Sequence, residues 1–475
     1  MIIVRRAEVD FSKKLRKWDG FGINYVELAQ SMDYEKDPQE YGGFSIITED
    51  DRQEILDMIF GEDGLKPGTL KMFFDPFQQK EENQNDPEPA ALDMSNYNHQ
   101  TTTKWMRYFV EEGLKRTRER GDDLEIITTL YGPPAWMTAQ KLLRGRDLDP
   151  EYKVELAKYM IAWVKYLKEE EGFPIKYLSL HNEGEDWRRW PLDGSSGNIG
   201  TGHDYNMYWP PELVAEFLEF MREVMDINEL ADVALTPGET SNWYRFVDWG
   251  YAYAIDDSKK ALDNLGLITS HGFYGGNYGA GYGPHKSLGM DILREKKPSL
   301  HSWVTSTSWS NMDSKFIFEI KSNIYAAKVN SIIPWACIQR PEKWVGGDPN
   351  PGTAFEVFED GTYKTMPGYY YYKQVSRVGQ AGMAVARTIS NDTEVGVIAF
   401  NSNGTDNPDA FVVINIADKP MDIDISVKGI DCEEYEVSRT SPDEHYKSLG
   451  NFESDGGLIK YTSTPDSVTT FVAKK

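Results

Sequence analysis

The sequence predicts an α/β protein, a (β/α)8 TIM barrel with a β-sandwich side domain, and three observations carry that expectation. From about Asp50 to Tyr325, short apolar runs alternate with longer amphipathic stretches, the pattern of strands and helices that builds a parallel sheet. Eight strand candidates can be counted, near Gly20, Leu70, Leu124, Ile175, Asp232, Gly266, Leu300 and Asn330. Eight suits a closed barrel, whereas an open doubly wound sheet usually shows a Gly-rich phosphate turn after its first strand, and none is present. After about Met383 the pattern changes to short alternating strands broken by Asn, Gly and Asp, as in "VARTISNDTEVGVIAFNSNGTDNPDAFVVINIADKPMDIDISV". The expected division is a barrel over 20–380 and a side domain built from 381–475 together with the strand-like residues 1–19. The chain of 475 residues accommodates both, since a barrel takes about 250 residues before insertions.

The elements follow in order. "LKMFFDP" reads as a strand ending in a turn. "TTKWMRYFVEEGLKRTRERGDD" sets Trp105, Met106, Phe109, Val110 and Leu114 on one helical face, with basic residues near its end. "LEIITTLYGPPAWM" is a buried strand interrupted at Pro133-Pro134. The helix "EYKVELAKYMIAWVKYLKEEEG" ends on a Gly stop. The strand "IKYLSLHNE", the helix "PPELVAEFLEFMREVMD" and the strand "DVALTPGE" come next, and "GLITSHGFYGG", "LHSWVTSTSW" and "NSIIPWACIQ" complete the series. Gln78 to Asp93, "QQKEENQNDPEPAALD", reads as an exposed loop.

Composition narrows the function. A net charge of −25 argues against nucleic acid and against anionic membrane surfaces. An aromatic share of 13% fills a large core, and any excess suits a carbohydrate cleft, where flat rings stack on sugar faces. Two cysteines, Cys337 and Cys432, leave at most one disulfide and exclude a four-Cys zinc site. The seven histidines lack metal-ligand spacing, so neither metal nor cofactor is expected. The first twenty residues are too charged for a signal peptide, and no run of about 18 apolar residues exists. The expectation is a soluble protein, cytoplasmic if Met1 is native; a secreted protein with its signal removed would read the same.

Barrel active sites lie at the C-terminal ends of strands. Asn182 and Glu183 end the fourth candidate strand. A glycosidic bond breaks when an acid protonates the departing oxygen, and in retaining enzymes a second carboxylate about 5–5.5 Å away attacks the anomeric carbon. An Asn beside the acid can bond the sugar 2-hydroxyl. Glu239, ending the fifth strand, suits a site role or a structural ion pair equally, and Asp75 suits a turn or a sugar-hydroxyl acceptor. Glu185 suits a loop cap. Trp136, Tyr274 and His271 are cleft candidates, although a lone His is more often structural. Trp187, Trp190 and Trp309 lie in loops past the strand ends, where they can line further subsites. "YGGNYGAGYG" reads as a cleft-edge loop and not a phosphate cradle, since no Lys-Ser/Thr follows it. "NSNGTDNPD" reads as a turn cluster more readily than a calcium loop.

"WDGFGINYVE", "YGPPAWM", "YLSLHNEGEDW", "SHGFYGG" and "IIPWACIQ", in this order, resemble the retaining (β/α)8 glycoside hydrolases of clan A, and most of all family 30 and its close relatives. The resemblance runs from Trp18 to about Gln380 and continues through "PGYYYYKQVSRVGQAGMAVAR" into the side domain. It implies that Glu183 is the acid/base, with Asn182 beside it, that Trp335 floors the −1 subsite, although a core role also fits it, and that the nucleophile ends the seventh strand. The family pattern there is similar to Trp-hydrophobic-Thr-Glu-Thr, whereas this chain has Trp303, Val304, Thr305, Ser306, Thr307. Serine offers no negative charge to an oxocarbenium-like transition state and is a poor nucleophile without a base. Lys71 also stands where relatives commonly have Arg. The implied activity is retaining hydrolysis of a β-linked glycoside or oligosaccharide through a covalent glycosyl-enzyme, impaired here at the nucleophile. Three accounts of Ser306 stay open: a deliberate Glu→Ser exchange of the kind that makes a ligand trap or a glycosynthase, a natural carbohydrate-binding pseudoenzyme, or a nucleophile aligned elsewhere. A metal-dependent hydrolase on the same barrel is disfavoured by the scattered histidines.

Overall fold

The computed structural model describes residues 5–28, 40–79, 88–143, 145–189, 206–273, 285–344 and 350–474. After an N-terminal strand, β1 (Arg5–Lys17), eight short strands form the barrel: β2 (Gly20–Asn24), β3 (Thr69–Phe73), β4 (Glu125–Thr129), β5 (Ile175–Ser179), β6 (Ala234–Thr236), β7 (Leu267–Ser270), β8 (His301–Ser308) and β9 (Ser331–Trp335). Their order in the sheet is β6-β5-β4-β3-β2-β9-β8-β7, and every pairing between them is parallel. Parallel bridges Leu235–Leu265 and Thr240–Ser270 join the two ends and close the ring.

Helices wrap the outside for the reasons their sequences give. In α1 (Glu49–Phe60), Thr48 caps the first turn and Ile55, Leu56, Ile59 and Phe60 face inward. In α2 (Lys104–Glu119), Met106, Phe109, Val110 and Leu114 are buried as the periodicity requires, while Trp105 is only half-buried and lies under the cations of Arg52 and Lys104. Helices α3 (Lys153–Glu169) and α4 (Pro211–Ile227) complete that side. The strands are covered on both faces, which is why they read as apolar runs without alternation. Inside the ring, Ile127, Tyr177, Leu267, Trp303 and Ile333 pack into a dry plug, and Trp303 donates its Nε1–H to Asp19 at 2.9 Å. This plug is the floor on which the polar residues at the C-terminal strand ends rest.

A small sheet of β10 (Ile338–Gln339), β11 (Phe355–Val357) and β12 (Tyr363–Thr365) leads to the side domain. That domain is a nine-stranded sheet of β1 with β13 (Ala384–Ser390), β14 (Val395–Asn401), β15 (Ala410–Asn415), β16 (Met421–Lys428), β17 (Glu434–Ser441), β18 (Glu444–Glu453), β19 (Leu458–Ser463) and β20 (Ser467–Ala473). The sheet folds over a core in which Val9, Phe11, Phe411, Ile423, Tyr435 and Phe471 share one cluster. Strand β1 is its seam, antiparallel to β13 and parallel to β16 (Val9 faces Thr388 on one side and Val427 on the other).

One local expectation changes and one holds. The segment expected as an exposed loop begins with Gln78 and Gln79 buried, and the Gln78 amide donates to the Tyr159 carbonyl at 3.1 Å; two long polar side chains are anchored under α3 because their amides find partners there. "NSNGTDNPD" is the connection of the β14–β15 hairpin, held by Asn and Asp side chains that accept backbone N–H groups.

Candidate active site

Asn182 and Glu183 follow β5, Glu239 follows β6, His271 follows β7, Ser306 lies on β8 and Lys71 lies within β3. The turn after β5 is under backbone strain. Glu183 adopts a left-handed conformation, φ 47°, which costs a residue with a Cβ of order 1–3 kcal/mol unless its surroundings hold it. They do. The Glu183 N–H donates to the Glu239 carbonyl at 2.7 Å, the Glu239 N–H donates to the His181 carbonyl at 2.8 Å, and the Gly184 N–H donates to His181 Nδ1 at 3.1 Å. Gly238 makes the neighbouring turn possible, because at φ +89° a Cβ there would lie 2.1 Å from the His181 ring.

Their side chains form one connected line. His271 Nδ1 lies 2.6 Å from Glu183 Oε1, and its Nε2 lies 3.0 Å from Glu239 Oε2. Glu239 also accepts from the Thr129 hydroxyl at 2.6 Å and forms a salt bridge with Lys71. Lys71 Nζ donates to Ser306 Oγ at 2.8 Å and reaches Asn182 Oδ1 at 3.5 Å. Lys71 and Glu239 have no exposed surface, and Glu183, at 7%, is the most exposed member of the cluster. Ser306 sits in a bulge: Val304 pairs with Ile332 but Thr307 pairs with Pro334, so β8 carries one extra residue at this point, and the Ser306 hydroxyl turns to donate to the Thr305 carbonyl.

The electrostatics follow from that line. Burial alone would raise the Glu239 carboxyl, but the Lys71 ammonium and the His271 imidazole outweigh it and hold it at about 2. For His271, burial favours the neutral ring, yet the Glu183 charge and the hydrogen bonds to both carboxylates prevail and raise its value above the ordinary one. When protonated, the ring can donate to Glu183 on one side and Glu239 on the other.

Of the residues singled out in the sequence, Glu183, Asn182, Glu239, His271 and Ser306 are thus brought together. Trp335 ends β9 nearby, edge-on to Phe73 (5.3 Å) and Tyr131 (6.4 Å), which stack on each other at 4.9 Å. Trp136 is half-buried beyond β4 with its Nε1–H unpartnered, and Trp187 is 54% exposed. Asp75 and Trp309 stand apart. The Asp75 carboxylate accepts the backbone N–H groups of Phe77 and Thr102, the work of a turn residue. Trp309 packs edge-on against Tyr372 at 5.0 Å in the core. Glu185 accepts from the Ser241 N–H and hydroxyl and from Arg245, a loop cap. Tyr274, Trp190 and the Gly/Tyr-rich loop lie outside the described residues.

Sequence reasoning registered Lys71 only as a departure from a pattern, and it passed over Thr129 and Asn24. A lysine inside the apolar run "TLKMF" was the available signal, since a buried cation requires a buried partner. For a Thr or an Asn at a strand end there was no such signal.

No family model matches the chain, and no curated relative matches it. Solved structures share its fold along nearly the whole length. A GH30 endoxylanase from Clostridium papyrosolvens C71 superposes with a TM-score of 0.69 at 16% identity, covering 99% of this chain and 100% of its own. The catalytic domain of GH30 xylanase C from Talaromyces cellulolyticus gives 0.71 at 15%, covering 99% and 100%. An endo-beta1,6-glucanase gives 0.68 at 17%, covering 99% and 94%. At these identities the likeness is one of fold: a (β/α)8 barrel with a β-sandwich side domain. Among the described residues, no helix is long and apolar enough to cross a membrane, and no group of three His, Cys, Asp or Glu is arranged to hold a metal ion.

Proposed function

We propose that this chain is a glycoside hydrolase acting on a β-linked glycoside or oligosaccharide, with Glu183 as the acid that protonates the departing oxygen. The observation that carries this reading is Glu183 itself: a carboxyl group at the C-terminal rim of the barrel, on a strained turn held by hydrogen bonds to the segment after β6, and hydrogen-bonded to His271. Asn182 beside it suits a sugar hydroxyl, and Trp335 suits the floor of the −1 subsite. The likeness in fold to xylanases and a glucanase supports the same class of substrate.

Ser306 occupies the position of a retaining nucleophile, and double displacement through residue 306 is closed to this chain. Beside it, Lys71 is paired with Glu239 and donates to the Ser306 hydroxyl. The absence of a carboxylate at 306 sustains a second reading, a carbohydrate-binding protein on the same barrel without turnover.

Isothermal calorimetry with β-linked gluco- and xylo-oligosaccharides tests the proposal. At least one should bind, and Trp335→Ala should weaken that binding about 10-fold or more, ~1.4 kcal/mol, as expected for an aromatic platform. Unchanged affinity in Trp335→Ala removes the platform assignment, and no binding across the panel removes the proposed function.

A further inference from the structure

We infer that the cavity where β1 meets the N-terminal rim of the barrel is an oxyanion site, taking a doubly charged phosphate or sulfate group between the guanidinium groups of Arg16 and Arg294. The cavity lies at the strand ends opposite Glu183, and the inference does not depend on the proposed activity.

The cavity, of about 520 Å³, is lined by Arg16 and Lys17 at the end of β1, by Asp291 and Arg294 of the helix Leu288–Lys296, by His301 at the start of β8, and by Lys328 in the turn before β9. Its wall is basic in a chain whose net charge is −25. Lys328 is neutralised by Asp291, at 2.9 and 3.0 Å, and His301 is engaged by Asp19 at 2.7 Å. Arg16, Lys17 and Arg294 differ: among the described residues no carboxylate oxygen lies within 4.0 Å of their charged nitrogens.

Neutral acceptors fix both guanidinium groups instead. Arg16 donates from Nε to the Val329 carbonyl at 2.8 Å and from one terminal nitrogen to the Ile324 carbonyl. Arg294 donates to the Leu300 and Lys328 carbonyls, at 2.8 and 3.2 Å, to the Ser302 hydroxyl at 3.1 Å and to Asn330 Oδ1 at 3.0 Å. Asn330 in turn donates to the Lys17 carbonyl at 2.8 Å, tying the end of β1 to the same frame. Carbonyls orient a guanidinium but leave its charge uncompensated. Arg16 uses two of its N–H donors on them, and the terminal nitrogen that takes no part keeps both of its own. Both arginines are half-buried and open to the cavity.

Burial works against both charges. It pushes the Arg16 guanidinium down to about 10, against a smaller opposing contribution from Tyr325 and with a further push from Arg294, and it lowers Arg294 against the pull of Asp291. Both stay charged at neutral pH, and an anion between them relieves their repulsion. A guanidinium fork matches the oxygens of a phosphate or sulfate, and two forks with Lys17 beside them suit two negative charges, where a carboxylate brings one. The N-terminal face of a barrel serves stability. A group bound here touches the seam strand of the side domain and the barrel at once, so its effect is to hold them together.

Isothermal calorimetry of the full chain with inorganic phosphate, sodium sulfate and glucose 6-phosphate, at neutral pH and constant ionic strength, tests the inference. The net charge disfavours scattered anion binding, so a saturable isotherm reports a local site. Phosphate should titrate one site, with sulfate competing, and should raise the thermal midpoint by about 3 °C at about 100 times its Kd, while chloride should not. Glucose 6-phosphate separates the two sources of the group: binding as tight as phosphate means that the cavity admits an ester, and weaker binding means that it takes the free anion. Arg16→Gln and Arg294→Gln should each weaken phosphate at least ~10-fold. Because both arginines also hold backbone carbonyls, the exposed Lys17 is changed beside them, and Lys17→Ser should weaken phosphate about 3-fold with the ligand-free melting temperature unaltered. No saturable phosphate binding, a thermal shift that chloride reproduces, or an affinity unchanged in all three variants overturns the inference. None of these outcomes bears on Glu183, whose role has its own test in the sugar panel.

Discussion

Lys71 and Glu239 are both buried without exposed surface, and each is the other's ion-pair partner. Lys71→Met leaves the Glu239 carboxylate without its ammonium and should cost about 3–5 kcal/mol, whereas removing both charges in Lys71→Met/Glu239→Gln should cost much less. Denaturant midpoints of the two variants measure the difference; equal losses would mean that the pair is not coupled. The same line of groups sets a pH window. The Glu239 carboxyl, at about 2 in the folded chain against an ordinary 4.5, contributes stability that is present above 4.5 and lost as pH falls through about 2. His271, raised above its ordinary 6.5, contributes stability that is present below 6.5 and lost as pH rises through its folded value. Thermal midpoints from pH 2 to 9 should therefore be highest between these limits, and Glu239→Gln should have a flatter acid limb than the wild type. Identical acid limbs would show that Glu239 is not held ionised. At this scale the sequence displayed the proposed acid and the serine, since "HNE" and "WVTSTS" are local motifs. The link between Lys71 and Glu239 spans 168 positions and depends on two strand ends meeting across the barrel, which no local pattern encodes.

The strands and helices that were read were legible because parallel strands covered on both faces leave unbroken apolar runs, and because α2 keeps a 3.6-residue stripe. The bulge at Ser306 was not: whether an extra residue turns a side chain depends on the partner strand's register. Trp309 misled in the same way, as it follows a strand end in sequence but is claimed by core packing, whereas Asp75 does the work of the turn residue that was one of its two readings. Two elements carry predictions. Strand β1 is bonded on both sides, so removing residues 1–17 exposes the edges of β13 and β16 and should lower the melting temperature or the solubility; an unaltered melting curve would show that the seam is dispensable. Gly238→Ala places a Cβ against the His181 ring at a positive φ, and should both destabilise the chain and displace Glu239. Calorimetry of unfolding reads the first effect, and loss of sugar turnover reads the second.

The whole molecule joins a fold found in xylanases and a glucanase to a site whose charges are arranged differently from the pattern its sequence resembles. Glu183, the proposed acid, stands at the strand-end rim, residue 306 has no carboxylate, and Lys71 is paired with Glu239 on its neighbouring side. Moving that carboxylate to 306 tests the account most directly. The double variant Ser306→Glu/Glu239→Gln keeps the total charge of the site and hands Lys71 a carboxylate from β8 in place of the one from β6. Proton NMR of the first-formed anomer, on any β-glycoside shown by calorimetry to bind, should then report the β anomer, with turnover at least ~10³-fold above Glu239→Gln alone, the scale of a restored catalytic carboxylate. A double variant that binds the same sugars and stays inert on all of them, or that releases the α anomer, would contradict the assignment of residue 306 as the nucleophile position.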